Sequence, residues 1–561
     1  MDAGASHTGL WRHSPMPIIA KCFHERCRLA MVVAWGVITV LIVAALSMGT
    51  YLAETERFDV SSVEAARAII FPVIILQAAI LMFFGTGAVA YGIANERDSG
   101  VLDYQRMTPM SIPAKLIGYL IGLPIREYIL FTLTLPFLIF AVVRGGFSWT
   151  VVAHFYLIFF MSVIVYHFTG LVSGMVTPKA RRAAVFAQIF VVILYFGLTN
   201  LSHLGLTFFE FLTIRPALFG LVVEEVQRLN GEVIRFPRGM TGLDSFRDIP
   251  LFNTTLHPTV YTMIVQGGLV LSMWHVVARK WRSEEAPAFS KLGAAAFILG
   301  TSTLALGSGW ASLAIDGGIM RNLPQFADEY DARLGLVLTL VYTGMILAMG
   351  MFTLSNASAS PFITSKGFHR MRKHGWKSLG LLRDESSSLP LAMLVAACTS
   401  ISAALLYNRL IAAGMVEGWP SAASAGMLLI ALASMALFAQ AVFERYMLRG
   451  RCVVIFLVWV VPAMTFMVLA AGDARPAIAA YAALPCPPAT AVFALDQMTA
   501  SIPMPPGVEP VWLVREETEL AGLFPALAIT GVAIHLSLAV IAQTVNLRDR
   551  SRRRRMAMAA A

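Results

Sequence analysis

Charge is scarce in this chain. Only 14% of its 561 residues are charged, against about 25% in an ordinary soluble domain. Apolar residues reach 57%, and the mean hydropathy is +0.71. No soluble core hides that much apolar surface. The scarcity excludes a soluble enzyme, a disordered chain and a nucleic-acid-binding domain as the main function. The 33 acidic residues are outnumbered by 43 basic ones. The basic residues sit in short clusters between apolar runs, which fits membrane loops better than a nucleic-acid patch. No nucleic-acid partner is expected. Cysteine is also rare, at five residues. A G-x-x-x-x-G-K-[ST] sequence is lacking, so nothing cradles nucleotide phosphates in the P-loop manner. No loop is long enough to fold an ATPase domain. Neither catalytic residues nor a cofactor are expected within the chain.

Long apolar runs are what remains. A membrane-spanning helix needs about 20 mostly apolar residues. About twelve candidates meet that length, near 29–51, 69–93, 114–143, 150–175, 183–200, 258–278, 292–315, 334–355, 390–412, 422–443, 452–471 and 521–545. The fifth is the weakest, being short and running into Asn200 and His203. Basic clusters precede the first run (Lys21, Arg26, Arg28) and follow every even-numbered one. They include Arg97 and Arg106, Lys179 to Arg182, Arg279 to Arg282, Lys366 to Lys377, Arg445 to Arg451, and Arg548 to Arg555. The alternate loops are acidic or mixed, as in Glu54 to Glu56 and Asp328 to Asp331. The positive-inside rule then places both termini in the cytoplasm. In that topology only Cys486 faces an oxidising side, so no intrachain disulfide is expected. The first run is too long for a signal-peptide core and is expected to be retained. The expectation is an all-α integral membrane protein of about 12 spans in a bacterial inner membrane.

The loop pattern repeats. Each half has a short outer loop, a long inner loop after its second span, a tight pair of spans, a long outer loop and a final span. Sequence echoes are weaker: Leu212 to Ala217 reads L-T-I-R-P-A, and Leu484 to Ala489 reads L-P-C-P-P-A. Equal orientation of the halves implies a parallel repeat about an axis along the membrane normal. The expected divisions are an amphipathic N-terminal segment (1–28), a first six-span half (29–285), a second (286–547) and a basic cytoplasmic tail (548–561).

The most informative stretch runs from Asn95 through Pro109 to Gly118. It reads N-E-R-D-S-G-V-L-D-Y-Q-R-M-T-P-M-S-I-P-A-K-L-I-G. Physically it is a short amphipathic helix beside the membrane. Val101, Leu102 and Met107 offer apolar contacts; Glu96, Arg97, Asp98, Asp103 and Arg106 offer charges. Pro109 stops the helix, and Pro113 sits where the next begins. The plainest account is a solvated loop that caps two helices. The alternative is a rigid element that a partner can grip.

This pattern resembles the permease subunits of type-2 ABC transporters. There an E-R-x-x-G-x-L run and a T-P-x-S follow the second span. Glu96, Arg97, Gly100, Leu102, Thr108, Pro109, Ser111, Lys115 and Gly118 fill those places. The resemblance covers about residues 15–290. It implies that Glu96 to Ser111 couple to a separate ATPase subunit, expected in two copies, which would hold ATP and Mg. It further implies that Arg215, Pro216, Pro487 and Pro488 shape an outer gate, and that the chain is an exporter. The second half departs from the pattern. Asn356 to Pro361 reads N-A-S-A-S-P, without the acidic residue, and a strongly basic run follows. A symmetric ATPase mechanism is therefore in doubt.

Arg126 and Glu127 lie about a dozen residues into the third run, as a possible intramembrane polar pair. Neighbours in sequence point about 100° apart on a helix, so each is expected to need another partner. The competing account is that Pro124 breaks the run and leaves both at the interface. Gln77, His167, Gln188, Gln266, His275 and Gln440 read as helix-to-helix hydrogen bonds rather than ligands. Gly118/Gly122 and Gly170/Gly174 fit close helix packing. Cys22, His24 and Cys27 are too few for a zinc site, and the 28 methionines form no soft-metal clusters, so no metal is expected. Two other functions stay open. One is an ion-driven secondary transporter using Arg126, Glu127 and the span histidines. The other is a membrane enzyme acting on lipid-linked substrates, using Asp244, Asp248, Asp473 and Glu516 to Glu519. The substrate is not legible.

Overall fold

The computed structural model describes residues 15–58, 60–177, 179–204, 206–231, 248–313, 331–375, 380, 383–413, 418–471, 476–500 and 523–559. Asp244, Asp473, Glu516 to Glu519, Lys377 and Asp328 to Tyr330 lie outside them, as do the first 14 residues. The chain is an all-α polytopic membrane protein. Among the described residues, twelve helices are long and apolar enough to cross a membrane. They are Leu29–Glu56, Ser62–Asp98, Ile125–Gly145, Trp149–Val176, Ala180–Ser202, Pro258–Arg282, Lys291–Ser312, Gly335–Ala357, Leu389–Ala412, Ala422–Arg445, Arg449–Leu469 and Pro525–Ala559. A bent pair, Ala477–Ala483 and Pro487–Leu495, turns by 118° and could count as a thirteenth. A helix is the open-ended element that satisfies all its backbone groups within lipid, which is why apolar runs fold this way. The one small sheet among the described residues pairs Ile249–Leu251 with Thr254–Leu256.

The chain forms two compact units, one holding the six spans up to Glu284 and the other the six from Glu285. In the first unit the second and fourth spans are the inner ones, each at least half buried. They approach closely because Gly170 and Gly174 carry no side chain. A Cβ at Gly170 would sit 2.7 Å from the Thr86 carbonyl oxygen, and one at Gly174 2.8 Å from that of Ala90. A wide π-helical stretch, Ala79–Gly85, interrupts the second span, and His167 of the fourth reaches its Leu81 carbonyl at 3.0 Å. Gln77 donates to Thr134 at 2.9 Å, and Gln266 donates to Ser162 at 2.9 Å. In the second unit the eighth and tenth spans are the half-buried ones. Gln543 of the last span donates to Gln440 of the tenth at 2.6 Å.

One expectation changes. The third apolar run is not one helix. It divides at Leu123–Pro124 into a short helix, Ile112–Gly122, and the span Ile125–Gly145. Proline at 124 lacks the N–H a continuous helix would use there. The last helix continues through the basic stretch from 548 to Ala559.

Candidate functional site: the turn after the second span

The second span ends at Asp98, and Gly100 takes a left-handed conformation, φ 77°. Glycine adopts that φ without the penalty a Cβ brings. The chain then reverses into a short helix, Val101–Met107. Thr108 Oγ1 donates to the Gln105 carbonyl at 2.8 Å and closes it. Ser111 caps Ile112–Gly122 by accepting from the Ala114 N–H. Lys115 Nζ donates to the Thr108 carbonyl at 3.1 Å, so the two short helices are tied across Pro109. Burial lowers the Lys115 pKa.

Most charges in the turn are used internally. Glu96 is buried; it accepts from Lys21 Nζ at 2.7 Å and from the Tyr119 hydroxyl. Burial and the adjacent Glu96 carboxylate push the Tyr119 pKa well up. Lys21 belongs to the amphipathic helix Met16–Arg26, which lies on Ile112–Gly122. Gly118 and Gly122 permit that approach: Cβ atoms there would meet Ile18 at 2.9 Å and Cys22 at 3.0 Å. Cys22 is fully buried against them, and its pKa is pushed up to about 11 by burial and by Glu96. This thiol packs as a small apolar group.

Arg97 reaches the end of the fourth span. It donates to the carbonyls of Gly174 at 3.0 Å, Met175 at 3.2 Å and Thr177 at 2.5 Å. Those carbonyls have no helical partner, and a cation there also complements the helix dipole. Arg106 does the same for the sixth span, donating to Trp281 at 3.0 Å and Lys280 at 3.2 Å. Leu102 is buried in one cluster with Tyr119 and Trp281. One turn thus fastens the ends of the second, fourth and sixth spans and the N-terminal helix.

The other face of the turn helix is bare. Tyr104 is 65% exposed and Met107 78%. Asp103 and Pro109 are exposed with them. Of the motif residues, Glu96, Arg97 and Leu102 build the bracket, while Pro109 shares the open face. Sequence reasoning did not single out Tyr104 as an outward residue. Its spacing carried the signal: 103, 104 and 107 share a helical face opposite 102 and 106.

Arg126 and Glu127 lie on the first turn of Ile125–Gly145, not at its middle. They also pair with each other, with Arg126 Nη2 2.6 Å from Glu127 Oε1. The guanidinium arm is long enough to swing across the angle between neighbours. Arg126 additionally lies 5.9 Å from the Trp35 ring centroid.

Both units break their chain before the last span. In the first, Thr207–Leu212 ends and a second limb begins at Arg215–Ala217. Thr213 joins them, accepting from the Arg215 N–H and donating to the Glu210 carbonyl. Pro216 opens the second limb. Glu210 is buried, and one of its oxygens has no hydrogen-bond partner. Burial raises its pKa, opposed by Arg215 and a hydrogen bond from Ser202. In the second unit the bend falls at Leu484–Cys486, and Pro487–Ala500 follows. Thr490 Oγ1 donates to the Leu484 carbonyl at 2.6 Å across it. The L-x-x-x-P-A echo thus marks the bend in each unit, with Pro216 and with Pro487 and Pro488 at the start of the second limb.

After the eighth span the described residues of the second unit form no counterpart of the bracket. Ser360 caps a longer basic helix, Pro361–His374. This unit instead fastens its helix ends at Glu444, a residue the sequence did not single out. Glu444 accepts from Arg550 at 2.7 Å, Asn546 at 3.0 Å and Ser387 at 3.0 Å. Arg451 meanwhile donates to the Ser355 carbonyl at the end of the eighth span, at 2.8 Å.

No family model, curated protein or solved structure matches this chain. Geometry and chemistry alone support its assignment. All five cysteines are free thiols. Among the described residues, no three His, Cys, Asp or Glu side chains are grouped to hold a metal ion.

Proposed function

We propose that this chain is the permease component of an ATP-driven transporter of the type-2 ABC kind, working as an exporter and energised by separate ATPase subunits. The observation that carries this reading is the turn after the second span. Its inner face fastens three span ends and the N-terminal helix, while its outer face offers Asp103, Tyr104, Met107 and Pro109. A force applied to that outer face acts on four helices at once. A solvated loop needs no such fastening. By the positive-inside rule, the basic ends of the spans support a cytoplasmic side for this turn and both termini, in a bacterial inner membrane. Moving a two-state permease from 1:99 to 99:1 takes roughly 5.5 kcal/mol of differential binding, which closure of the ATPase pair would supply. The second unit offers a basic helix where the first offers the bracket, so its contact with an ATPase differs.

Purification in mild detergent with mass spectrometry of bound proteins tests this. An ATPase subunit should accompany the wild type and be lost from Tyr104→Ala plus Met107→Ala. Both residues are exposed, so the variant should fold. A well-folded wild type without any ATPase would overturn the reading and favour a self-sufficient transporter.

A further inference from the structure

The second span changes its main packing partners along its length. Its first part, Ser62–Ala68 and Ile70–Ala78, lies chiefly against the first and third spans. Its last part, Thr86–Asp98, leads into the turn and lies chiefly against the fourth and fifth. The change falls at the π-helical stretch Ala79–Gly85. A π turn closes over five residues instead of four, and such stretches inside α-helices recur at functional sites.

Side chains of two neighbouring spans meet at that stretch. His167 of the fourth span, fully buried, bonds the Leu81 carbonyl at 3.0 Å. A carbonyl only accepts, so Nε2 of His167 carries the proton and Nδ1 is an acceptor. The Tyr128 hydroxyl of the third span lies 3.3 Å from that Nδ1 and donates to it. Two hydrogen bonds in series thus join the third and fourth spans to the wide stretch of the second. Gly85 leaves room for the ring, because a Cβ there would stand 2.7 Å from Nε2. Both flanks of the stretch are pinned. Before it, Gln77 bonds Thr134 of the third span and Tyr156 of the fourth. After it, Gly170 and Gly174 bring the fourth span onto Thr86 and Ala90. A change of direction between the flanks therefore falls on Ala79–Gly85. Among the described residues, no side chain of another span bonds a carbonyl of the similar stretches Ile193–Gly197 and Phe456–Val460.

We propose that Ala79–Gly85 is the hinge of the second span and that His167 is the positioning residue that latches it. With the latch closed the span holds one shape. With it open, Thr86–Asp98 and the turn swing as one rod about the first part of the span. Arg97 fastens the end of that rod to the carbonyls of Gly174, Met175 and Thr177. A displacement of the turn is therefore delivered along the rod to the hinge. A buried imidazole bonded on both sides suits a latch, since its two bonds are made or lost together when the ring moves. The inference follows from packing within one unit and stands whether or not an ATPase moves the turn.

The test measures the shape of the span in the full chain, in lipid nanodiscs. Spin labels are carried on keto amino acids at the exposed positions 75 and 91, because the five free thiols would take thiol-directed labels. These positions flank the stretch and lie about 24 Å apart along the helix. Positions 157 and 176 of the fourth span, also exposed, form the control pair, about 28 Å apart. Pulsed electron resonance should give the wild type one dominant distance for each pair. His167→Phe keeps a ring but bonds neither partner. It should raise a second 75–91 distance about fivefold in population, the worth of a buried hydrogen bond. The 157–176 distance should not change. Gly85→Ala pushes the imidazole off Leu81 from the other side and should act alike, although alanine favours the helix locally. It carries the test if His167→Phe fails to fold. An unchanged 75–91 distance in the folded variants would overturn the hinge. Equal broadening of both pairs would mean general loosening and overturn the latch. So would a rise in only one of two folded variants.

Discussion

Glu96 is the residue on which the turn depends. It is buried and joins Lys21 to the Tyr119 hydroxyl. Replacing it by alanine leaves both partners short of an acceptor, which costs about 2–4 kcal/mol. Glu96→Ala should lower the thermal midpoint in detergent clearly, and Glu96→Gln by less, since the amide oxygen still accepts. A midpoint for Glu96→Ala equal to the wild type would contradict the network. The same reasoning makes Glu96 a poor probe of partner binding, because its loss disturbs the bracket itself. Glu210 has the opposite character. Its folded pKa lies above the ordinary carboxylate value because burial penalises the charge. The fold therefore binds its proton more tightly than the unfolded chain does, and stability falls as pH rises through the raised pKa. The midpoint of the wild type should decline from the ordinary carboxylate range upward, and Glu210→Gln should flatten that decline. Parallel curves for the two proteins would refute the assignment.

Helix contacts follow spacing in some places and not in others. Gly170 and Gly174 stand four residues apart, and that spacing already announced a close approach. The backbone of the second span cannot yield there, so Gly174→Ala should destabilise by about 1–3 kcal/mol, read by thermal unfolding. Gly146, left-handed at φ 71° with open space around it, also merits a control. Alanine there strains only its own backbone and should cost less. The break at Pro124 was visible as a proline, but sequence alone left open whether the run divided or merely kinked. The capping by Arg97 and Arg106 was not visible. The carbonyls they serve belong to the fourth and sixth spans, and only the packed bundle brings those ends under the turn. Nor was the Arg126–Glu127 pairing legible, since the backbone angle between neighbours hides the reach of the arginine side chain. The two outer bends were better encoded, because proline fixes where a second limb can start.

At the scale of the molecule, apolar run length was the most legible quantity. Twelve runs long enough to cross a bilayer became twelve such helices among the described residues, with ends moved by a few residues where short helices or polar caps extended them. What drives the protein was less legible, because the proposed force transfer rests on an exposed helical face, with Tyr104 and Met107 turned outward. The account stands on that face being occupied. A photo-crosslinking amino acid at position 104 in cells tests it most directly, with the exposed Val143, at the far end of the third span, as the control position. The account predicts a covalent adduct between position 104 and a nucleotide-binding ATPase, and none from position 143. A normally expressed chain that yields no ATPase adduct from position 104 or 107 would contradict it.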